Sequence, residues 1–516
     1  MATPDADAVV ATTGERLSYA QLADAMARVA TGLADRGVGR GDTVGLLAPN
    51  VLEWIPTALG VQESGARLAA FNTFVKPLEL TFLLEHSQCS LLVIADRVGK
   101  HSLIDVLREV VPEAWEGAEW SAPRFPALRA IVVLGDNPVP GAESWPALLS
   151  ASPGNPSEVP TSAVDDAVIV YTSGSTARPK AVPLAHYAMV ENGFAIGERM
   201  RLTPDDRIWL GSPLFWSYGV ANAMMAAFTH GSALVLQTDY TPLAAVDLIE
   251  REQCTAAYLL PAFLHALATL PESDRARLAT LQTGLTIGRA DEIEIALDLG
   301  IAGICNIYGA TEVYGNCCVT PRDMPIEQRM RCQGPPLPGV EVRLTDVETG
   351  EPVVAGPAMI EVRGYTTRGY LGEPELNATT FTDEGWYRTG DLGLILEDGS
   401  LQFVARATDM IKTSGVNVSP AEVEAFISSL DEVAECVVVG APDPHRDEVV
   451  VAFVQPAAGV TIDPEAMIRE CKQSIAAFKV PSRIHVVDQL PVTATGKIAR
   501  LELRRWAAEA ALPAGE

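Results

Sequence analysis

Long apolar runs are missing from this chain of 516 residues, and no stretch approaches the roughly 18 consecutive apolar residues that a membrane-crossing helix requires. Positive charge is scarce. With 38 Lys and Arg against 66 Asp and Glu the formal net charge is −28, which argues against general binding to nucleic acid or anionic membrane surfaces. Any anionic ligand must therefore be held by local cations against an unfavourable overall field. Cysteine is sparse and unpatterned, at positions 89, 254, 305, 317, 318, 332, 436 and 471. None forms a C-x-x-C pair with a partner at zinc spacing, so neither a zinc site nor a disulfide framework is expected. The expectation is buried free thiols in a reducing, cytosolic setting. The opening MATPDADAVVATTGE has no basic segment followed by an apolar core, so no secretion signal is read there. Internal repeats and low-complexity tracts are absent, and so is the G-x-x-x-x-G-K-[ST] spacing of the common mononucleotide loop.

What is present fits a soluble globular protein: 48% hydrophobic and 20% charged residues, with length enough for roughly 3 to 4 domain-sized units. Residues 19–36 place Leu22, Ala25, Val29 and Leu33 on one helical face, and residues 41–50 (GDTVGLLAPN) read as a buried strand and turn. From 167 to 307 apolar strands (167–170, 233–236, 256–260, 303–307) alternate with helical segments (221–228, 242–252, 293–299). That alternation is the pattern of parallel β/α layers. After about 331 the texture turns to short strands at 340–344, 359–362 and 401–404. A last shift near 408 opens a small α+β region, with helices at 420–430 and 464–477 and strands at 433–439, 449–454 and 484–487. The fold class read from this is α/β: a large N-terminal domain (1–407) of layered β/α subdomains plus a small β-rich part. A small mobile α+β C-terminal domain (408–516) follows. The proline-bearing stretch 152–162 reads as a surface connection.

Residues 171–186 (YTSGSTARPKAVPLAH) place a loop of Ser, Thr and Gly, ending in Lys180, behind an apolar strand. Backbone N–H groups, hydroxyls and one ammonium together suit a polyphosphate. The loop resembles the phosphate loop of the acyl-adenylate-forming enzymes, the superfamily of acyl-CoA synthetases, peptide-synthetase adenylation domains and beetle luciferases. Tyr171, Thr172, Ser173, Gly174, Ser175, Thr176, Pro179 and Lys180 match its YTSG-[ST]-T-G-x-P-K-G pattern. Ala177 and Ala181 replace two glycines, which implies a stiffer loop.

Four further elements follow in the family's order. YGATE at 308–312 implies Tyr308 and Gly309 beside the adenine, Thr311 at the α-phosphate and Glu312 on Mg²⁺. The types suit those tasks: a π face for a purine, a hydroxyl for a phosphoryl oxygen, a hard oxygen for a hard cation. WYRTGD at 386–391 implies that Asp391 accepts from the ribose hydroxyls, with Arg406 also reaching the ribose. The segment 406–424 resembles the family's hinge and the stretch after it. It implies Thr408 as hinge, where Asp or Lys is usual, and Gly415 in a CoA tunnel; Ala405 stands where glycine is common. PVTATGKIAR at 491–500 implies Lys497 as catalytic lysine. Residues 17–50 (LSYAQL to LLAPN) and 369–381 (GYLGEPELNATTF) are similar to the family too, so the resemblance spans nearly the whole chain.

The resemblance implies ATP, Mg²⁺ and coenzyme A as cofactors and co-substrates. A carboxylic acid would be adenylated with release of pyrophosphate, then transferred to CoA. For the acyl pocket it implies Trp216 and Tyr218 in PLFWSYG (213–219), and Gly288 and Arg289 in TIGRA (286–290). Trp216 stands where histidine is common, and either shapes the pocket or packs the core. Arg289 pairs either with a polar substituent of the acid or with a surface carboxylate. A medium-sized cyclic or aromatic acid is the expectation. The alternatives are an adenylating enzyme that hands acyl-AMP to a carrier protein or partner ligase, a luciferase-like oxidation, and a non-catalytic nucleotide-binding relative. Retention of Lys180, Glu312, Asp391, Arg406 and Lys497 weighs against the last. No nucleic-acid partner and no membrane span are expected, and the protein is read as a monomer or homodimer.

Overall fold

The computed structural model describes residues 3–115, 122–135, 139–152, 161–172, 179–288, 290–347, 349–353, 356–413, 416–443, 446–475, 477–492 and 498–509. Its backbone packs as two compact units. The first comprises Met1–Val342, Val362–Tyr387 and Leu396–Leu401; the second comprises Arg343–Glu361, Arg388–Ile395 and Gln402–Glu516.

Two large sheets build the first unit. One has eight strands, in the spatial order Cys318–Val319, Gly303–Tyr308, Thr283–Thr286, Ala256–Leu259, Arg207–Leu210, Ala233–Leu236, Asp7–Val10 and Arg16–Ser18. Its six central strands run parallel, and the two edge strands are antiparallel to their neighbours. The other has seven, ordered Lys180–Ala185, Asp166–Thr172, Arg67–Ala70, Thr43–Leu47, Leu91–Ile94, Ala130–Val133 and Glu143–Ser144. Parallel strands covered on both faces read as continuous apolar runs, and Thr43–Leu47 is buried at every position. Helices Pro242–Arg251, Pro261–Ala268 and Ala290–Asp298 pack Val246, Leu264 and Ile293 against Trp209, Val235, Ala257 and Ile304 of the eight-stranded sheet.

Local sequence sets where the helices begin. Tyr19–Ala34 starts at Ser18, whose Oγ accepts from Gln21 N at 3.3 Å while Gln21 Oε1 accepts from Ser18 N at 2.8 Å. Such a reciprocal cap is worth about 1 kcal/mol. Leu22, Val29 and Leu33 are buried, on the face that the sequence assigns. The segment expected as a helix over 221–228 differs: Tyr218–Ala223 is a π-helix that continues as the α-helix Met224–His230. A π turn widens the backbone ring by one residue, which apolar periodicity does not register.

The second unit holds most of a four-stranded sheet ordered Glu341–Thr345, Ala358–Arg363, Tyr387–Ile395 and Leu401–Arg406. It also contains a five-stranded sheet in which Val433–Asp443 pairs antiparallel with Asp447–Pro456, and Arg483–Val486 adds parallel. Alternate residues of the long strands serve two cores. Val438, Val450 and Ala452 face helices Pro420–Ser428 and Pro464–Ser474, whereas Val437, Val439, Val451 and Phe453 face Arg500–Glu509. All eight cysteines are free and buried, as their scatter suggests. No helix among the described residues is long and apolar enough to cross a membrane. The connection read at 152–162 lies largely outside the described residues.

Candidate active site

The strand Asp166–Thr172 turns back antiparallel as Lys180–Ala185, with Thr172 directly opposite Lys180. Both ends of the Ser, Thr and Gly loop are thereby pinned in register. Ser173, Gly174, Ser175 and Thr176 lie outside the described residues. Tyr171 braces the incoming strand. Its hydroxyl lies 3.2 Å from His86 Nδ1, and His86 Nε2 lies 3.2 Å from the Leu371 carbonyl. A carbonyl only accepts, so this geometry selects the imidazole tautomer with hydrogen on Nε2, leaving Nδ1 to accept from the phenol. Burial pushes the Tyr171 phenol well above its ordinary range and keeps it a donor.

Gly303–Tyr308 ends at the sheet's C-terminal edge, where parallel α/β sheets present ligand-binding groups. Tyr308 is 7% exposed. Gly309 passes so close to the returning chain that a Cβ there would stand 2.6 Å from Asn316 Cα and nearer still to the Gly315 carbonyl. Only glycine fits. Thr311 and Glu312 follow on the short 3₁₀ turn Thr311–Val313. Thr311 Oγ1 is 3.1 Å from Ser217 Oγ, and Glu312 Oε1 accepts from the Tyr370 hydroxyl at 2.7 Å. The Lys180 ammonium lies 4.8 Å from the centroid of the same Tyr370 ring. The loop lysine and the YGATE carboxylate, from separate motifs, thus share one tyrosine.

The segment carrying Trp216 and Tyr218 is clamped from the N-terminal motif. Asn50 Nδ2 donates to the Ser212 carbonyl at 2.9 Å, and Leu214 N donates to Asn50 Oδ1 at 2.8 Å. Tyr218 is buried beside Tyr258, ring centroids 4.9 Å apart. Its hydroxyl donates toward the Leu259 and Leu285 carbonyls at 3.3 and 3.1 Å. The Tyr218 phenol is spent on backbone, so the residue can offer a ligand only its ring. Trp216 is half-buried and packs edge-on to Phe215 at 6.0 Å. Gly288 is tied to Asn306, whose Nδ2 donates to the Gly288 carbonyl at 3.0 Å. Arg289 lies outside the described residues.

In the second unit, Asp391 and Arg406 meet: Arg406 Nε is 2.9 Å from Asp391 Oδ1, with the carboxylate buried and the guanidinium 59% exposed. Thr408 sits in the short 3₁₀ turn Ala407–Asp409. Gly415 and Lys497 lie outside the described residues, but the ends of the Lys497 loop are held. Val492 and Ile498 form an antiparallel bridge across it, and Ala499 N donates to the Pro491 carbonyl at 2.8 Å. Arg500, the last residue of that motif, is 2.7 Å from Glu424 Oε1 and donates to the Val438 carbonyl at 3.0 Å.

Sequence reasoning passed over Tyr370, Ser217, His86 and Glu424. Tyr370 and Ser217 lie inside stretches already singled out, GYLGEP and PLFWSYG, so the motif was the available signal. Glu424 closes the segment 406–424 that was also singled out, whereas His86 carries no local mark. Among the described residues no group of three or more His, Cys, Asp or Glu side chains could hold a metal by itself. Glu312 still suits a cation shared with phosphates. One oxygen takes the Tyr370 hydroxyl, and its partner oxygen is the hard donor that Mg²⁺ prefers, usually from one or two carboxylates plus substrate.

Comparison with known proteins identifies the family. The chain matches the AMP-binding enzyme family over residues 1–371 and the AMP-binding enzyme C-terminal domain over 422–497. It is 31% identical to the mitochondrial medium-chain acyl-CoA ligase ACSF2 of Mus musculus, covering 97% of this chain and 85% of that protein. It is 31% identical to the feruloyl-CoA synthase of an Amycolatopsis species, covering 95% and 94%. The solved structure of ATP-bound MatB from Rhodopseudomonas palustris superposes with a TM-score of 0.86 at 28% identity, covering 98% of this chain and 96% of that one. The chain belongs to the AMP-binding enzymes, the adenylate-forming superfamily whose acyl-CoA synthetases its motifs resemble.

Proposed function

We propose that this enzyme adenylates a carboxylic acid with ATP and passes the acyl group to coenzyme A. The observation that carries the reading is the convergence of Lys180 and Glu312 on Tyr370, with Thr311 alongside, at the C-terminal edge of a parallel sheet. A carboxylate meeting a triphosphate is an encounter of two anions, so catalysis rests on positioning and charge neutralisation.

Lys180 and the loop from Thr172 through Ser173, Gly174, Ser175 and Thr176 hold the β- and γ-phosphates. Thr311 donates to the α-phosphate, Tyr308 and Gly309 border the base, and Asp391 and Arg406 take the ribose. Lys497 draws the acid's carboxylate onto the α-phosphorus. An oxygen–phosphorus bond forms there as the bond to pyrophosphate breaks. Glu312 would hold a Mg²⁺ ion, which when bound would supply neutralising charge for the pyrophosphate. The domain after 407 then turns about Thr408. The CoA thiolate, passing Gly415, attacks the acyl carbon and expels AMP.

For the acid we favour a cyclic or aromatic molecule of medium size. The resemblance assigns Trp216, Tyr218, Gly288 and Arg289 to the acyl pocket, and both a medium-chain ligase and a feruloyl-CoA synthase are among the relatives. Acid-dependent pyrophosphate exchange by the wild type and Lys497→Ala, with thioester formation followed separately, tests the reaction. Exchange that survives Lys497→Ala removes that lysine from the chemistry. Exchange without thioester points to transfer onto a carrier protein or partner ligase, which Ala405 and Thr408 at the hinge would accommodate. An acid profile unchanged in Trp216→Ala removes Trp216 from the pocket.

A further inference from the structure

Tyr370 sits between the two opposite charges of the phosphate site. Its hydroxyl donates to Glu312 Oε1 at 2.7 Å, and Lys180 Nζ lies 4.8 Å from its ring centroid. The side chain is 4% exposed and firmly placed. Asn377, on the helix Pro374–Thr380, accepts from Tyr370 N at 2.7 Å and donates to its carbonyl at 2.8 Å. Phe381 packs edge-on at 5.8 Å.

We propose that Tyr370 is a positioning residue that keeps Lys180 and Glu312 apart, so that the ammonium stays available to phosphate and the carboxylate to the divalent cation. The inference rests on the nucleotide-site reading above. Glu312 is buried and Lys180 half-buried, so a lysine and a glutamate that meet one tyrosine attract each other, and a direct pair would have to be broken before either met its ligand. A phenol satisfies both without joining them. Its electron-rich face takes the cation, and its hydroxyl takes one carboxylate oxygen while a second remains for metal.

Calorimetric titration of ATP, with and without Mg²⁺, into wild type, Tyr370→Phe, Tyr370→Leu and Tyr370→Leu/Glu312→Gln tests this without turnover. Phenylalanine keeps the ring and loses the donor. It should weaken binding about 10-fold with Mg²⁺, the usual scale for a hydrogen bond to a charged group, and leave metal-free binding within about twofold. Leucine removes both contacts, so Lys180 should be captured by Glu312 and binding should weaken with and without metal. Adding Glu312→Gln to Tyr370→Leu should then restore metal-free binding, because no carboxylate is left to capture the lysine. A purely structural tyrosine would not give that rescue. Equal losses with and without Mg²⁺ in Tyr370→Phe, or absence of rescue in the double variant, overturn the proposal. Should the leucine variants not fold, the phenylalanine comparison decides alone. A wild type that binds no ATP under either condition sinks the nucleotide-site reading itself, whereas normal wild-type binding matched by Tyr370→Phe sinks only the role of Tyr370.

Discussion

Replacing Arg500 with Met should loosen the fold around the Lys497 loop, and the structure sets the size of the effect. Arg500 reaches Glu424 Oε1 at 2.7 Å, and Val438 N donates to the same oxygen at 2.8 Å. The Glu424 side chain is 2% exposed, against 30% for Arg500. Deleting the guanidinium leaves a buried carboxylate compensated by less than it was, the arrangement for which breaking a pair costs about 3 to 5 kcal/mol. Because the Arg500 head keeps some water, the lower end applies, about 3 kcal/mol. Hydrogen exchange of the full-length protein gives the readout, in the peptide containing Val438. Its amide should exchange about 100-fold faster in Arg500→Met, since each 1.4 kcal/mol is about a factor of ten. Arg500→Lys, which keeps a positive charge within reach of Glu424 and leaves the acceptor of Val438 N in place, should recover part of the protection. Wild-type exchange in Arg500→Met, or an Arg500→Lys variant less protected than Arg500→Met, would refute the reasoning.

Gly309→Ala forces a Cβ against the backbone of Gly315 and Asn316, so Thr311 and Glu312 must shift. Pyrophosphate exchange should fall about 100-fold in a folded protein, and an unchanged rate would contradict the close approach. Burial pushes the thiols of Cys89 to about 11 and of Cys254 and Cys305 to about 12. All eight cysteines should therefore resist a thiol-exchange reagent at pH 8 and react together in guanidinium; early labelling of any of these three argues against its burial. Burial lowers the His186 pKa against the pull of Asp165 and Asp166, and burial with Arg483 lowers that of His485. Unfolded histidine charges near about 6.5, so their contribution is intact above that pH and is lost as pH falls through the depressed folded values. The thermal midpoint should drop on acidification below about 6.5, with a shallower slope in His186→Gln. Equal slopes would remove His186 from the account.

Elements with a strong local pattern were readable from the chain. The face of Tyr19–Ala34, the buried strand Thr43–Leu47 and the α+β texture after 408 follow from apolar period, caps and glycine placement. Boundaries moved by a few residues where pairing outlasts the apolar run. The strand expected at 433–439 extends over Val433–Asp443, because Asp447–Pro456 supplies ladder partners to its end. The π turn at Tyr218–Ala223 was not readable, since its residues are as apolar as those of an α-helix and only its packing distinguishes them. The site divides the same way: the residues matched to a ligand role were named, while those that hold them, Tyr370, Ser217 and Glu424 inside the same stretches and His86 outside them, were not.

By itself the sequence determined which chemical groups this protein carries and in what order: a hydroxyl-rich loop closed by Lys180, then Thr311 and Glu312, Asp391 and Arg406, and Lys497. Short-range physics suffices for that, because a strand, a turn and a capped helix are each specified by neighbours a few residues apart. Tertiary structure alone decided what each group faces. Lys180 and Glu312 share the Tyr370 ring and hydroxyl, Thr311 meets Ser217, and Glu424 receives Arg500. Those pairings join residues far apart in the chain, and they exist only once sheet and helix packing has met the loop-closure entropy that brings the elements together.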